Sequence, residues 1–128
     1  MNKILGSISV FFPAYNEEEN IKKTVVLAKK VLEEISNNWE IIIVNDGSTD
    51  NTLAVSEKLS KEDKRIRIIS HLKNRGYGAS LKSGFYNSKY PWICFTDADG
   101  QFDFSEITGF ISRQKKESAD LTRRPDLG

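Results

Sequence analysis

Glu40-Ile41-Ile42-Ile43-Val44, followed at once by Asn45-Asp46-Gly47-Ser48-Thr49-Asp50, is the stretch on which the fold turns. The run is apolar without the alternation of a half-exposed strand, as expected for a strand covered on both faces of a parallel sheet. The hexapeptide after it has turn chemistry and can cap a new helix, with Leu53, Val55 and Leu59 on that short helix.

Working outward, Ser7-Ile8-Ser9-Val10-Phe11-Phe12 is a β-rich run that Pro13 stops, since proline donates nothing to a ladder. Asn16 with Glu17-Glu18-Glu19 has the form of an N-cap with acids in the first turn, which predicts a helix start there. Ile21, Val25, Ala28, Leu32 and Ile35 then form one apolar stripe, and Lys22, Lys29 and Lys30 belong to a solvated face. Downstream, Arg65-Ile66-Arg67-Ile68-Ile69 reads as a third strand and Asn74-Arg75-Gly76-Tyr77-Gly78-Ala79 as a glycine loop entering a helix through Leu81 and Phe85. Trp92 to Thr96 reads as the fourth strand, and Ile107, Phe110 and Ile111 mark a further helix. Strands alternating with helices predict an α/β fold, Rossmann-like, with a mostly parallel sheet and helices on both faces.

Ligands of such sheets bind beyond the carboxyl ends of the strands. Segments 13–17, 45–50, 74–79 and 97–101 each follow a strand and fall at that edge. The opposite connections, near 36–39, 60–65 and 87–91, are read as lacking comparable chemistry.

Composition narrows the classes. The 128 residues, 38% of them apolar, suit a single domain spanning 1–128, and a formal net charge of +1 gives no global reason to bind nucleic acid. The lone cysteine, Cys94, sits in an apolar run and excludes an internal disulfide. No apolar run reaches the roughly 18 to 20 residues of a membrane span, and Met1-Asn2-Lys3 does not open a signal peptide, so a soluble, cytoplasmic protein is expected.

The chemistry-bearing motif is Asp97-Ala98-Asp99-Gly100-Gln101, where an apolar strand ends in two carboxylates one residue apart. Residues i and i+2 of an extended segment point to one side, so the two acids can converge on a divalent cation; as solvated turn formers they would do nothing of the kind. A calcium loop fails, because Phe102 and Thr108 stand where its glycine and glutamate belong. The Asp-x-Asp-Gly nucleophile of haloacid-dehalogenase-like, magnesium-dependent phosphotransferases matches locally, but there it closes the first strand, not the fourth. The 74–83 loop satisfies neither a P-loop nor a dinucleotide fingerprint, since Leu81 replaces the needed glycine. It can still present backbone N–H groups to an anion, with Arg75, Gly76 and Lys82 phosphate-proximal. Tyr15 can stack on a base, and Asp46 can accept a hydrogen bond from the imide N–H of a uracil-like ring. His71 has no spaced partner for a metal and reads as structural or exposed.

Taken together, Val10-Phe11-Phe12-Pro13-Ala14-Tyr15-Asn16-Glu17-Glu18-Glu19-Asn20-Ile21, Ile42 to Asp50, Asn74-Arg75-Gly76 and Asp97 to Gln101 resemble the family 2 glycosyltransferases, nearest in look to the dolichol-phosphate mannosyltransferase-like branch. The resemblance implies a GT-A fold that binds a nucleoside-diphosphate sugar, of UDP or GDP type, with Mg²⁺ or Mn²⁺. It implies that Pro13, Ala14, Tyr15 and Glu17 surround base and ribose, that Asp46 reads the base edge, that Asp97 lies near nucleotide and metal, and that Asp99 and Gln101 are metal ligands. It implies transfer with inversion to a polyprenyl phosphate, at the cytoplasmic membrane surface, or to a cell-surface glycan. Segment 122–128 departs from the family's pattern, a truncated domain is expected, and no position matches the family's catalytic base. A binding-only nucleotide-sugar fragment is the alternative reading. A doubly wound sheet ending near its fifth strand leaves an edge that favours a homo-oligomer.

Overall fold

The computed structural model describes residues 5–103 and 109–112, the latter segment by its backbone. Ile107 and the 122–128 tail lie outside the described residues. The order is β1 (Leu5–Ala14), α1 (Ile21–Ile35), β2 (Ser36–Asp46), α2 (Thr52–Glu62), β3 (Ile66–His71), α3 (Tyr77–Asn87), β4 (Trp92–Phe95) and β5 (Gly109–Ser112). The strands form one sheet in the order β3-β2-β1-β4-β5, in which β1 to β4 run parallel and β5 is antiparallel to β4. Strand order reverses at β1, where successive crossovers first go one way and then the other, so the crevice beyond β1 and β4 is the expected ligand position.

The uninterrupted β2 run explains the layering. Ile41 and Ile43 face a core with Ile8, Val10 and Phe12 of β1, Ile21, Val25, Ala28 and Leu32 of α1, and Leu59 of α2. Ile42 and Val44 face the other side, packing with Phe11, Ile93 and the α3 residues Leu81 and Phe85. Burying each such side chain contributes roughly 1.5–3 kcal/mol. Cys94 is fully buried in the first core, and burial pushes its thiol pKa well up, so it serves packing. Gly84 is required where α3 crosses β1, because a Cβ there would overlap the ring of Phe11.

Several boundaries differ from the sequence reading. The first helix begins at Ile21, after Asn20, and no acid lies in its first turn; Asn16 adopts φ 55° and caps nothing in that helix. Its carboxamide bonds the neighbouring loop instead, as described below. Strand β2 starts at Ser36, directly after α1, and β1 continues through Pro13 to Ala14. Pro13 is tolerated because it lies past Phe11, the last β1 residue paired with β4. The expected helix through Phe110 and Ile111 is an antiparallel strand, Gly109–Ser112. Two adjacent apolar residues serve either element, and the free edge of β4 decides for the strand.

Away from the carboxyl edge, the sheet also holds a buried ion pair. Glu40 is 1% exposed. Its Oε1 accepts from Arg67 Nε at 2.9 Å and lies 2.8 Å from Arg67 Nη2, while its Oε2 accepts from Ser9 Oγ at 2.6 Å and from the Lys89 N–H at 2.8 Å. Arg67 also donates to the Asn87 carbonyl, so this buried ion pair ties the chain leaving α3 to the sheet.

Candidate active site at the carboxyl edge

A cavity of 470 Å³ opens where the strands end. Pro13, Ala14, Tyr15 and Glu17 reach it from β1, Asp46 from β2, and Asp97 and Asp99 from β4. The α3 entrance adds Asn74, Gly76, Tyr77 and Ser80. All the loops singled out in the sequence therefore meet in one space.

Side-chain bonds between loops hold that space open. Asn16 Oδ1 accepts from the N–H of Thr49 at 2.8 Å and of Asp50 at 3.3 Å, and Glu17 N–H donates to Thr52 Oγ1 at 2.8 Å. The loops after β1 and β2 are thus laced together, which is what the left-handed backbone of Asn16 serves. Gly47, at φ 68°, permits the 73–74 backbone to pass where any Cβ would collide.

Asp46 is buried at the end of β2, opposite His71 in the β2–β3 register. Its Oδ1 takes His71 Nδ1 and the Arg75 N–H, each at 2.8 Å, and its Oδ2 takes the Gly76 N–H at 2.9 Å. Burial alone would raise the carboxyl pKa; the bonds from His71, Arg75 and Gly76 outweigh it and leave the pKa below the usual value. Because a carboxylate only accepts, His71 Nδ1 carries a proton, and Nε2 shares a hydrogen bond with Ser83 Oγ at 2.7 Å. His71 is therefore structural and buried. The anion that the Arg75 and Gly76 amides hold is Asp46 itself, and Lys82 is not among the cavity-lining residues.

The acidic turn is built from alternate anchoring and exposure. Ala98 is 1% exposed and packs in the core with Phe102, while Asp97 and Asp99 face outward. Gly100, at φ 90°, donates its N–H to Thr24 Oγ1 at 2.7 Å, fixing the turn to α1; a Cβ there would stand 2.9 Å from Asn20 Oδ1. Asp99 Oδ1 accepts the Gln101 N–H at 3.2 Å. Burial, then the charge of Asp97 and a hydrogen bond to it, raise the Tyr77 pKa, so the phenol stays protonated and donates to that carboxylate. Gln101 is exposed and outside the cavity lining.

Among the described residues no group of three or more His, Cys, Asp or Glu side chains surrounds a metal position. Two outward carboxylates on an anchored turn offer hard oxygen donors to one side of a cation such as Mg²⁺, which keeps waters and takes phosphate oxygens for its remaining positions. The donor set fits a cation shared with a ligand. Sequence reading passed over Asn74, Tyr77 and Ser80; the aromatic ring between two glycines was the available signal for Tyr77, whereas nothing local marked Ser80.

Comparison with known proteins now fixes the class. Among solved structures, a Staphylococcus aureus TarS fragment in complex with UDP matches with a TM-score of 0.64 at 24% identity, covering 73% of this chain and 27% of that one. A mannosyltransferase from Pyrobaculum calidifontis in complex with GDP-Man and Mn²⁺ matches with a TM-score of 0.62 at 20% identity, covering 72% and 27%. The fold is that of the GT-A glycosyltransferases.

Residues 9–122 match the model of glycosyl transferase family 2, and the chain belongs to that family. It is 38% identical to the dolichyl-phosphate beta-glucosyltransferase of Saccharomyces cerevisiae over 128 residues, covering 92% of this chain and 38% of the relative. It is 34% identical to the undecaprenyl-phosphate 4-deoxy-4-formamido-L-arabinose transferase of Salmonella choleraesuis over 111 residues, covering 85% and 34%. The chain thus spans little more than a third of the length of these curated relatives. Among the described residues, no helix is long and apolar enough to cross a membrane.

Proposed function

We propose that this chain is the nucleotide-sugar-binding part of a glycosyltransferase that moves a sugar from a nucleoside diphosphate to a polyprenyl phosphate at a membrane surface, with inversion. The observation that carries the reading is the convergence of Tyr15, Asp46, Asp97 and Asp99 from three strand ends on one cavity. The names of the relatives, which act on dolichyl and undecaprenyl phosphates, support the acceptor class. In the reaction an acceptor phosphate oxygen forms a bond to the anomeric carbon as the bond from that carbon to the diphosphate breaks, and the nucleoside diphosphate leaves with the electron pair.

The residues divide the work. Tyr15, 46% exposed at the mouth, offers a ring face to the base, and Asp46 accepts from the base edge. Pro13, Ala14 and Glu17 shape the base and ribose end. Asp97 and Asp99, with Gln101 within reach of the same turn, would hold Mg²⁺ or Mn²⁺. The cation, when bound, supplies charge neutralisation to the diphosphate leaving group. Tyr77 orients Asp97 through its hydroxyl. Family membership over residues 9–122 favours this reading over a phosphotransferase with Asp97 as nucleophile.

Calorimetric titration with UDP and GDP, with and without Mn²⁺, tests the proposal. Metal-dependent binding of a nucleoside diphosphate is expected, weakened about tenfold or more in Asp99→Ala, as loss of a charge-assisted contact implies. Absence of any nucleoside-diphosphate binding at every metal concentration would sink it.

A further inference from the structure

The charges of the chain are unevenly spread. From Lys64 to Thr96 it has seven Lys and Arg residues and no Asp or Glu, so all 18 acidic residues lie elsewhere. The exposed lysines of α1 differ, because the exposed acids Glu18, Glu19, Glu33 and Glu34 stand among them. The acid-free stretch covers β3, the loop after it, α3 and β4. Two of its arginines are engaged, Arg65 with Asp63 and Arg67 with Glu40. Lys73, Arg75, Lys82 and Lys89 have no ion pair among the described residues.

The fold sets these four along the outside of α3. Lys73 and Arg75 precede the helix, Lys82 is on it and Lys89 follows it. The helix buries Ser80, Leu81, Gly84 and Phe85, which leaves Lys82 and Tyr86, one turn apart, on its outer side. Among the described residues α1 and α2 pack on the other face of the sheet, so α3 is the outer layer here. At the carboxyl-edge end of this layer Leu72 is 103% exposed, against 46–51% for the other large apolar side chains at the surface. Its loop is fixed: the Lys73–Asn74 backbone packs on Gly47, and Asp46 holds the Arg75 and Gly76 amides at 2.8 and 2.9 Å.

A lone exposed leucine signals nothing. A leucine held in water beside unpaired cations, on an acid-free surface with a half-exposed tyrosine, has the composition of a bilayer-docking face. A nucleic acid would use the cations and leave Leu72 in water, and a net charge of +1 gives it no long-range attraction.

We propose that the Leu72 loop and the outer side of α3 dock on an anionic lipid bilayer, Leu72 entering the acyl boundary while Lys73, Arg75 and Lys82 meet the headgroups. Asn74, Gly76 and Tyr77, at the same end of α3, line the cavity. Docking therefore sets the cavity mouth at headgroup level, where a lipid-linked phosphate lies. That consequence rests on the acceptor proposed above, whereas the surface is measured without it.

Sedimentation of the intact chain with phosphatidylcholine vesicles, with and without phosphatidylglycerol, tests the proposal. Binding is expected only where phosphatidylglycerol is present. Lys73→Gln combined with Lys82→Gln weakens it about tenfold or more, as loss of two cations near a charged surface implies. Leu72→Ser weakens it about tenfold, as loss of one inserted apolar side chain implies. Lys22→Gln combined with Lys23→Gln, on α1, removes the same charge and leaves binding unchanged. Equal loss in that α1 variant, undiminished binding in Leu72→Ser, equal binding to both vesicles, or tighter binding to an RNA duplex each overturns the proposal. Titration with UDP and Mn²⁺ in solution separates it from the reading of the cavity. Nucleotide binding without vesicle binding overturns the docking surface and leaves the nucleotide site standing; vesicle binding through this surface without nucleotide binding supports the surface and removes the nucleotide site.

Discussion

Strand β2 carries two buried carboxylates on the same face, one at mid-strand and one at its carboxyl end, and the two are used differently. Glu40 and Asp46 are 1% and 4% exposed, and each anchors one end of α3 to the sheet. Glu40 reaches the chain after the helix through the Lys89 amide and Arg67, and Asp46 reaches the chain before it through the Arg75 and Gly76 amides. At Glu40 both oxygens are filled, by an arginine fork, a serine and an amide. At Asp46 one position stays open onto a cavity. A saturated carboxylate is a structural joint; the same device left one bond short becomes a binding group. Position along the strand decides which is useful, because only the carboxyl end faces the crevice.

The largest expected effect comes from breaking the saturated joint. Glu40→Ala strands the Arg67 guanidinium, Ser9 and the Lys89 amide without their acceptor, and removing one partner of a buried pair costs about 3–5 kcal/mol. Urea denaturation should show that loss, while the folded fraction still binds nucleotide with wild-type affinity. A variant as stable as wild type, or one that folds and fails to bind, would erase the division of labour between the two carboxylates.

Asp46→Asn should do the reverse in proportion. Its carboxamide offers a single acceptor oxygen to His71 and two amides, so stability falls by roughly 1–3 kcal/mol. Nucleotide affinity falls about tenfold or more, because the base loses its acceptor. If affinity in Asp46→Asn matched wild type, Asp46 would be a second structural joint and nothing else.

How far the sequence shows this difference depends on distance along the chain. The unbroken Glu40–Val44 run, with turns at 45–50, 74–79 and 97–101, is enough to read a parallel sheet and a shared edge, because periodicity and turn chemistry are local. Asp97 and Asp99 are legible for the same reason, being two residues apart. The partners of Glu40 and Asp46 are not. Ser9 faces Glu40, and His71 faces Asp46, only through strand register, which no local pattern specifies. Asn16 misleads because its capping signature is sound locally, while the loop after β2 offers it the Thr49 and Asp50 amides. Phe110 and Ile111 are too few to show a period. Ser80, whose buried Oγ has no hydrogen-bond partner among the described residues, is invisible in sequence, since an unpaired hydroxyl is defined by what its surroundings lack.

Titration gives the smallest effect and a separate check on Asp46. Its folded-state pKa lies below the ordinary value of 3.8, because bonds from His71 and the Arg75 and Gly76 amides outweigh burial. The unfolded chain therefore binds this proton first as pH falls, and stability rises with pH across that interval. The contribution is complete above about pH 4 and is lost as pH drops through the folded-state value. Asp50 and Asp63 are also lowered and contribute with the same sign, so acid unfolding of wild type alone does not isolate Asp46. The difference between wild type and Asp46→Asn does, since both proteins carry the other two acids. The stability gap measured by urea denaturation should be constant from pH 7 to about pH 5 and narrow below pH 4. A gap that stays constant to pH 3 would mean that the loop amides and His71 do not hold the carboxylate form of Asp46.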